Sequence, residues 1–293
     1  MTSDAARQPE YESLAVFAVE LARRAGERIQ QSLDDEIVVE YKDAGLDDRP
    51  PMDAVTNLDV EIEEELAERI RATFPTHGIL GEEGTRHFPP GCEYVWAIDP
   101  IDGTQNFVNG LPIYSCSVGL LHHGAPVAGA VWGATSHRLR PGVYHAYRGG
   151  VLCFDSTEVT TARPSRGKQR GLGAMPHDED QRVQPDATAS PDRMLPWDRR
   201  HIGSGALEAA FLAAGVMESA FNTGPRSWDI AAGALLVPAG GRGIWHRVDD
   251  EWRELDAFPA DPGELAEWRY PVLMATNTAY ALQTARGAAA REL

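Results

Sequence analysis

The stretch VWAIDPIDGTQNF, residues 95–107, constrains the fold of this chain more than any other. The apolar residues Val95 to Ile98 run straight into Asp99-Pro100-Ile101-Asp102-Gly103. A short apolar run bounded by turn residues reads as a buried strand. Pro100 disfavours the helical region for Asp99, so the strand stays extended up to its first carboxylate. Asp102-Gly103 is a turn pair, and Gly103 tolerates a positive φ. Both carboxylates can then lie on one side of a single turn, with the Ile101 carbonyl between them. A helix starting after Gly103 would aim the N–H groups of Gly103 and Thr104 at an anion. The same residues also suit an Asp-rich surface turn.

Three more acidic clusters raise the same choice. In LGEEGT, Glu82 and Glu83 sit between Gly81 and Gly84 at the end of a strand-like run, GIL (78–80). Adjacent carboxylates repel, which suits either a solvated loop or a cation site. In SWDIAAG, Asp229 opens a helix of small residues, where an N-cap would explain it. In DAVTNLD, Thr56 and Asp59 match a capping box with Asp in place of Glu, whereas Asp53 has no structural task. The helix that follows carries an Ile62, Leu66, Ile70 stripe, and Glu61, Glu63, Glu64 and Glu65 read as its solvated face.

These acids are carried on several elements, and converged they would hold a hard cation. Oxygen donors without His or Cys select Mg²⁺ or Mn²⁺. Glu82, Asp99, Asp102 and Asp229 together carry a charge that two divalent ions cancel. The whole chain has a net charge of −17, which disfavours nucleic acid as a partner and would repel a phosphorylated substrate. Bound cations reverse that repulsion locally.

The remaining pattern is that of a two-part α/β chain. Residues 11–33 form an amphipathic helix, 114–133 and 142–150 antiparallel strands, and 204–214 a helix. SWDIAAGALLVPAGG reads as one helix closed by Pro238 and Gly240-Gly241. Residues 43–54 form a loop, and 162–200 are polar and Pro-rich, with no readable secondary structure. The expected division is 1–150, with most of the ligands, and 151–293, with Asp229. No apolar run reaches the ~20 residues of a membrane span, and the opening MTSDAARQPEYE has no signal-like apolar region. Cys92, Cys116 and Cys153 match no metal spacing and suit a reducing cytoplasm.

The motifs GEEG, WAIDPIDGTQNFVNGLP, DAVTNLD and WDIAAGALLVPAGG, in this order except that DAVTNLD comes first, resemble the inositol monophosphatase family of magnesium-dependent, lithium-sensitive phosphatases. The resemblance runs from about residue 11 to about residue 280. It implies a layered αβαβα sandwich, a cytoplasmic homodimer, and two or three Mg²⁺ or Mn²⁺ ions per subunit. It implies that Glu82, Asp99, the Ile101 carbonyl, Asp102 and Asp229 hold the ions. Glu83 and Thr104 would position the nucleophilic water, with Asp53 orienting Thr104. Gly103 and Thr104 would receive phosphate oxygens. Ser204, Gly205, Asn222 and Arg226 would form the substrate rim, with Arg200 nearby. The implied reaction is hydrolysis of a small polyol or sugar phosphate. Histidinol-phosphate phosphatase, fructose-bisphosphatase and 3′-phosphoadenosine 5′-phosphate phosphatase are alternatives within the family, and a non-catalytic binding relative is one outside it. Relatives that act on inositol phosphate carry Glu where this chain has Asn222, so a weak preference for inositol is expected.

Overall fold

The computed structural model describes residues 4–34, 38–42, 54–160, 171–175, 197–279 and 281. The chain opens with α1 (Asp4–Gln31), which starts earlier than its periodicity suggests and accommodates Pro9 near its beginning. Leu14, Ala18, Leu21, Ala25 and Ile29 make its buried stripe. A two-stranded ribbon, β1 (Val39–Tyr41) with β2 (Ala54–Thr56), leads into α2 (Asn57–Thr73). The expected capping box is present: the Asp59 amide donates to Thr56 Oγ1 at 3.4 Å, and the Thr56 amide to Asp59 Oδ2 at 2.9 Å. Ile62, Leu66 and Ile70 are fully buried, each contributing about 1.5–3 kcal/mol relative to exposure.

Eight strands form the large sheet: β3 (Gly78–Gly81), β4 (Arg86–His87), β5 (Tyr94–Asp102), β6 (Ser115–His122), β7 (Ala125–Gly133), β8 (Gly142–Tyr147), β9 (Cys153–Phe154) and β10 (Thr157–Glu158). Their order is β10-β9-β8-β7-β6-β5-β3-β4, with β3 parallel to β5 and the other pairs antiparallel. All nine residues of β5 are buried. The strand continues through Pro100, where the ladder to β6 is interrupted between Asp99 and Asp102. Pro100 has no N–H to donate, which makes it a natural place for that irregularity. Gly103 then turns the chain at φ +90° into the short α3 (Thr104–Val108).

A second, six-stranded sheet follows, from β11 (Gly171–Ala174), β12 (Trp197–Arg200) and β13 (Ser219–Asn222) to β14 (Gly243–Val248), β15 (Glu251–Glu254) and β16 (Val272–Ala275). Its order is β12-β11-β13-β16-β14-β15. The first two strands come from the stretch that gave no readable pattern, and the rest of 162–200 lies outside the described residues. Between the sheets lie α4 (Gly205–Ala213), α5 (Ser227–Ile230) and α6 (Gly233–Ala239); α7 (Pro262–Glu267) follows β15. The single helix expected over SWDIAAGALLVPAGG is thus two, and Pro238 lies inside α6, which ends at Ala239.

Small residues set the spacing of this middle layer. A Cβ on Gly119 of β6 would lie 2.6 Å from Ala231 Cβ, and one on Gly233 would lie 2.7 Å from Ala209 Cβ. α5 and α6 can therefore lie almost on the sheet backbone, which carries Asp229 to the end of β5. On the opposite face, α1 and α2 pack over a core containing Trp96, Ile98, Val118 and Trp132. The described residues thus build alternating layers of helix and sheet.

Candidate active site

Strand pairing assembles the acids. β3 runs parallel to β5 with Gly81 opposite Ile98, and the Glu82 amide donates to the Ile98 carbonyl at 3.1 Å. Glu82 and Asp99 therefore leave adjacent strands side by side. Asp229 arrives from α5, where it is the third helical residue rather than the cap; its carboxylate accepts the Arg226 amide at 2.7 Å. Carboxylate oxygens of Glu82, Asp99 and Asp229 lie within 4.8 Å of one another. Burial, followed by the charge of Glu82, holds Asp99 and Asp229 well above the usual carboxylate range. Asp99 Oδ1 is buried and has no hydrogen-bond partner among the described residues. Three crowded oxygen donors and an orphaned carboxylate atom fit a hard divalent cation.

Asp102 behaves differently. Its Oδ2 accepts from Ser115 Oγ at 3.0 Å, Ser204 Oγ at 2.5 Å and the Ala206 amide at 2.8 Å; Oδ1 accepts the Gly205 amide at 3.1 Å. The side chain caps the N-terminus of α4, which offers backbone donors and a favourable dipole. The structure thus brings together three of the four expected carboxylates and turns the fourth toward α4. Burial still raises Asp102, tempered by these donors. Ser204 and Gly205, expected on the substrate rim, are committed to Asp102, and Ser204 is buried.

Asp99, Ile101, Asp102, Gly103, Thr104, Glu82 and Asp229 line one cleft of about 200 Å³. Thr104 Oγ1 lies 2.8 Å from the Ile101 carbonyl and 3.3 Å from Asp59 Oδ1. One O–H donates to one of these at a time, so the Ile101 carbonyl is a partner of Thr104 as well as a possible ligand. Asp53 lies outside the described residues. Among the described residues, the carboxylate that reaches Thr104 is Asp59, read from sequence as part of a capping box. Asp59 is almost fully buried, and burial pushes it up to about 6, with Thr56 opposing that rise. The signal that could have found it is its dual position: an N3 cap residue on the helix edge that also faces the DPIDGT turn.

Two further residues were missed. Glu63, assigned from sequence to the solvated face, is buried and accepts the amides of Glu83 and Thr85 at 2.6 and 2.7 Å. It lies one turn beyond Asp59 on the face toward the Gly81–Gly84 loop, and it holds that loop in shape. Lys42 donates to Glu82 at 2.6 Å and Glu83 at 2.8 Å. Burial alone would lower its ammonium, but the two carboxylates outweigh that and raise it. Glu83 is itself pushed up to about 7 by burial, with Lys42 opposing.

At the rim, Arg226 stands 5.9 Å over the Trp228 ring, which also carries Arg86 at 5.1 Å. Asn222 ends β13 half-buried, with its side chain against Glu208. Beside it, burial together with the Asp102 charge pushes Glu208 up to about 8. Arg200 is exposed and donates to the Arg199 carbonyl at 2.7 Å.

The model of the Inositol monophosphatase family matches residues 10–283. The chain is 33% identical to the inositol-1-monophosphatase of Bacillus subtilis over 218 residues, covering 73% of this chain and 78% of that protein. It is 32% identical to Nus factor SuhB of Pseudomonas aeruginosa, covering 77% and 82%. The structure of the Thermotoga maritima IMPase superposes with a TM-score of 0.69 at 23% identity, covering 94% of this chain and 98% of that one. That likeness establishes the layered α/β fold of the sugar phosphatases.

Proposed function

The chain belongs to the inositol monophosphatase family, and on that premise we propose that it is a Mg²⁺-dependent phosphomonoesterase acting on a small polyol or sugar phosphate. The observation that carries this reading is the meeting of Glu82, Asp99 and Asp229, from three separate elements, within 4.8 Å. These three carboxylates would hold the ions, with Asp102 available if its side chain turns from α4. When bound, Mg²⁺ or Mn²⁺ supplies the charge that draws in a phosphoryl group and acidifies a nucleophilic water.

The protein's own groups then have distinct tasks. Asp59, ionised, accepts the Thr104 hydroxyl proton in a hydrogen bond and leaves the Thr104 oxygen free to accept from water. Glu83, held near neutrality, is suited to take a proton at the pH of catalysis. Lys42 offsets the charge of Glu82 and Glu83. Gly103 and Thr104 present backbone N–H groups to the phosphate oxygens.

The test is phosphate release from inositol, sugar, histidinol and nucleotide phosphates, with Mg²⁺ and in EDTA. Turnover is expected only with the metal. Asp99→Asn should abolish it while leaving the chain folded, since it relieves carboxylate crowding. Full activity in chelator, with no metal bound, overturns the reading. Substrate preference rests on the alcohol side. Asn222→Glu offers a charged acceptor, which is stronger by roughly 1 kcal/mol than a neutral one. It should raise kcat/KM for inositol 1-phosphate several-fold, with little change for an aryl phosphate that has no hydroxyls. An unchanged ratio means Asn222 does not meet the substrate.

A further inference from the structure

The far end of β5 carries a second group of metal-type ligands that the phosphatase reading leaves unused. The turn between β6 and β7 places His122 and His123 against Glu93, the residue before β5. Backbone pairing fixes them there: Tyr94 is in register with His122, and the His123 amide donates to the Glu93 carbonyl at 2.8 Å. His122 Nε2 lies 3.9 Å from one Glu93 carboxylate oxygen, and His123 Nε2 lies 3.7 Å from the other. One donor atom from each residue falls within a 4.8 Å group. His123 holds φ at +49°, and the two imidazoles stand 4.6 Å apart.

The support behind His122 is as specific as the ligands. Tyr11, almost fully buried on α1, holds His122 Nδ1 with its hydroxyl at 3.1 Å. The Tyr94 ring stacks on His122 at 4.4 Å. A hydroxyl that accepts the Nδ1 proton leaves Nε2 with a lone pair, the arrangement that ligating histidines use. Arg7 Nη1 lies 3.4 Å from the same Nε2 and 3.9 Å from Glu10. It is the group an entering cation would displace, and Glu10 is its alternative partner.

We propose that Glu93, His122 and His123 form a second metal site, separate from the phosphatase centre, for a borderline divalent ion such as Zn²⁺, Co²⁺ or Ni²⁺. Imidazole nitrogens favour these ions over Mg²⁺, whereas the all-carboxylate cleft favours the reverse. Tetrahedral bonds of about 2.0–2.2 Å space ligand atoms by roughly 3.4 Å, so three donor atoms within 4.8 Å of one another close on an ion by modest side-chain rotations. Water would fill the fourth position. The ion would clip the β6–β7 turn to the start of β5 and, through Tyr11, fix α1 against both.

The test is titration of the full chain, at saturating Mg²⁺, with Co²⁺ followed by absorption and with Zn²⁺ followed by bound-metal analysis. One equivalent beyond the cleft ions is expected, with the absorption of a tetrahedral nitrogen-ligated Co²⁺ and a raised Tm. His123→Ala and Glu93→Gln change exposed side chains; each should weaken binding at least tenfold and leave Mg²⁺-dependent phosphate release unchanged. Tyr11→Phe should weaken it roughly tenfold, and Arg7→Ala should strengthen it. The proposal is overturned if the extra equivalent binds equally well in both ligand variants. It is equally overturned if Asp99→Asn, and not His123→Ala, abolishes that equivalent.

Discussion

At the scale of single residues, Asp59 carries the sharpest consequence. Burial raises its carboxyl from 3.8 to about 6, so the folded chain binds this proton more tightly than the unfolded one. Between those two values stability falls as pH rises, and above pH 6 the full cost of the buried charge is present. In the proposed mechanism activity runs the other way, because the ionised carboxylate is the stronger acceptor for the Thr104 hydroxyl. Asp59→Asn should therefore keep or raise Tm at pH 8 while lowering kcat about 10²-fold. It should also remove an acid limb near pH 6 from the kcat profile. A variant that loses stability at pH 8 but keeps kcat would reduce Asp59 to its capping role. Sequence alone showed the cap and hid the second contact, because Thr104 is 45 residues away. Glu63 was misread for a related reason. Helical periodicity locates the apolar stripe of α2 but says nothing about a loop from β3 that covers the stripe's edge. Lys42 follows the same rule, since its partners Glu82 and Glu83 belong to another element.

At the scale of elements, the carboxylates depend on how closely helices approach the large sheet. Gly119 on β6 leaves room for the Ala231–Ala232 link between α5 and α6; an added Cβ would lie 2.6 Å from Ala231 Cβ and 2.7 Å from the Ala232 amide. Backbone atoms on both sides have nowhere to go. Gly119→Ala should cost roughly 1–3 kcal/mol in urea unfolding. Because the push falls two residues from Asp229, kcat at saturating Mg²⁺ should drop as well. A variant that is destabilised but fully active per folded molecule would show that α5 moves as a rigid unit with its ligand. The strands and helices with clean periodicity, β5 to β8, α2 and α4, were legible in the sequence. The break between α5 and α6 was not, because Ala and Gly there satisfy a helix locally while tertiary contact with Gly119 and Gly129 decides the path. Strands β11 and β12 were hidden too: WDRR and GLGA lack the apolar alternation that marks a strand.

At the scale of the whole molecule, a net charge of −17 surrounds a site that must attract both a cation and an anion. The cleft carboxylates are largely buried and poorly screened, while most of the remaining charge is on the surface and responds to salt. In about 0.01 M monovalent salt the screening length is about 30 Å, so distant surface acids reach the cleft; near 0.1 M it is about 10 Å and they do not. The surface field concentrates Mg²⁺ and repels the phosphate ester. Raising KCl from about 0.01 M to about 0.2 M should therefore raise the Mg²⁺ concentration for half-maximal activity several-fold. At saturating Mg²⁺ the same change should lower KM for the ester, and kcat should stay level, because the reacting groups are shielded from bulk ions. The opposite signs separate this mechanism from general salt inhibition, which would raise both constants. If neither constant moves, the field in the cleft comes from Glu82, Asp99, Asp229 and Lys42 alone, and the acidity of the surface has no part in catalysis.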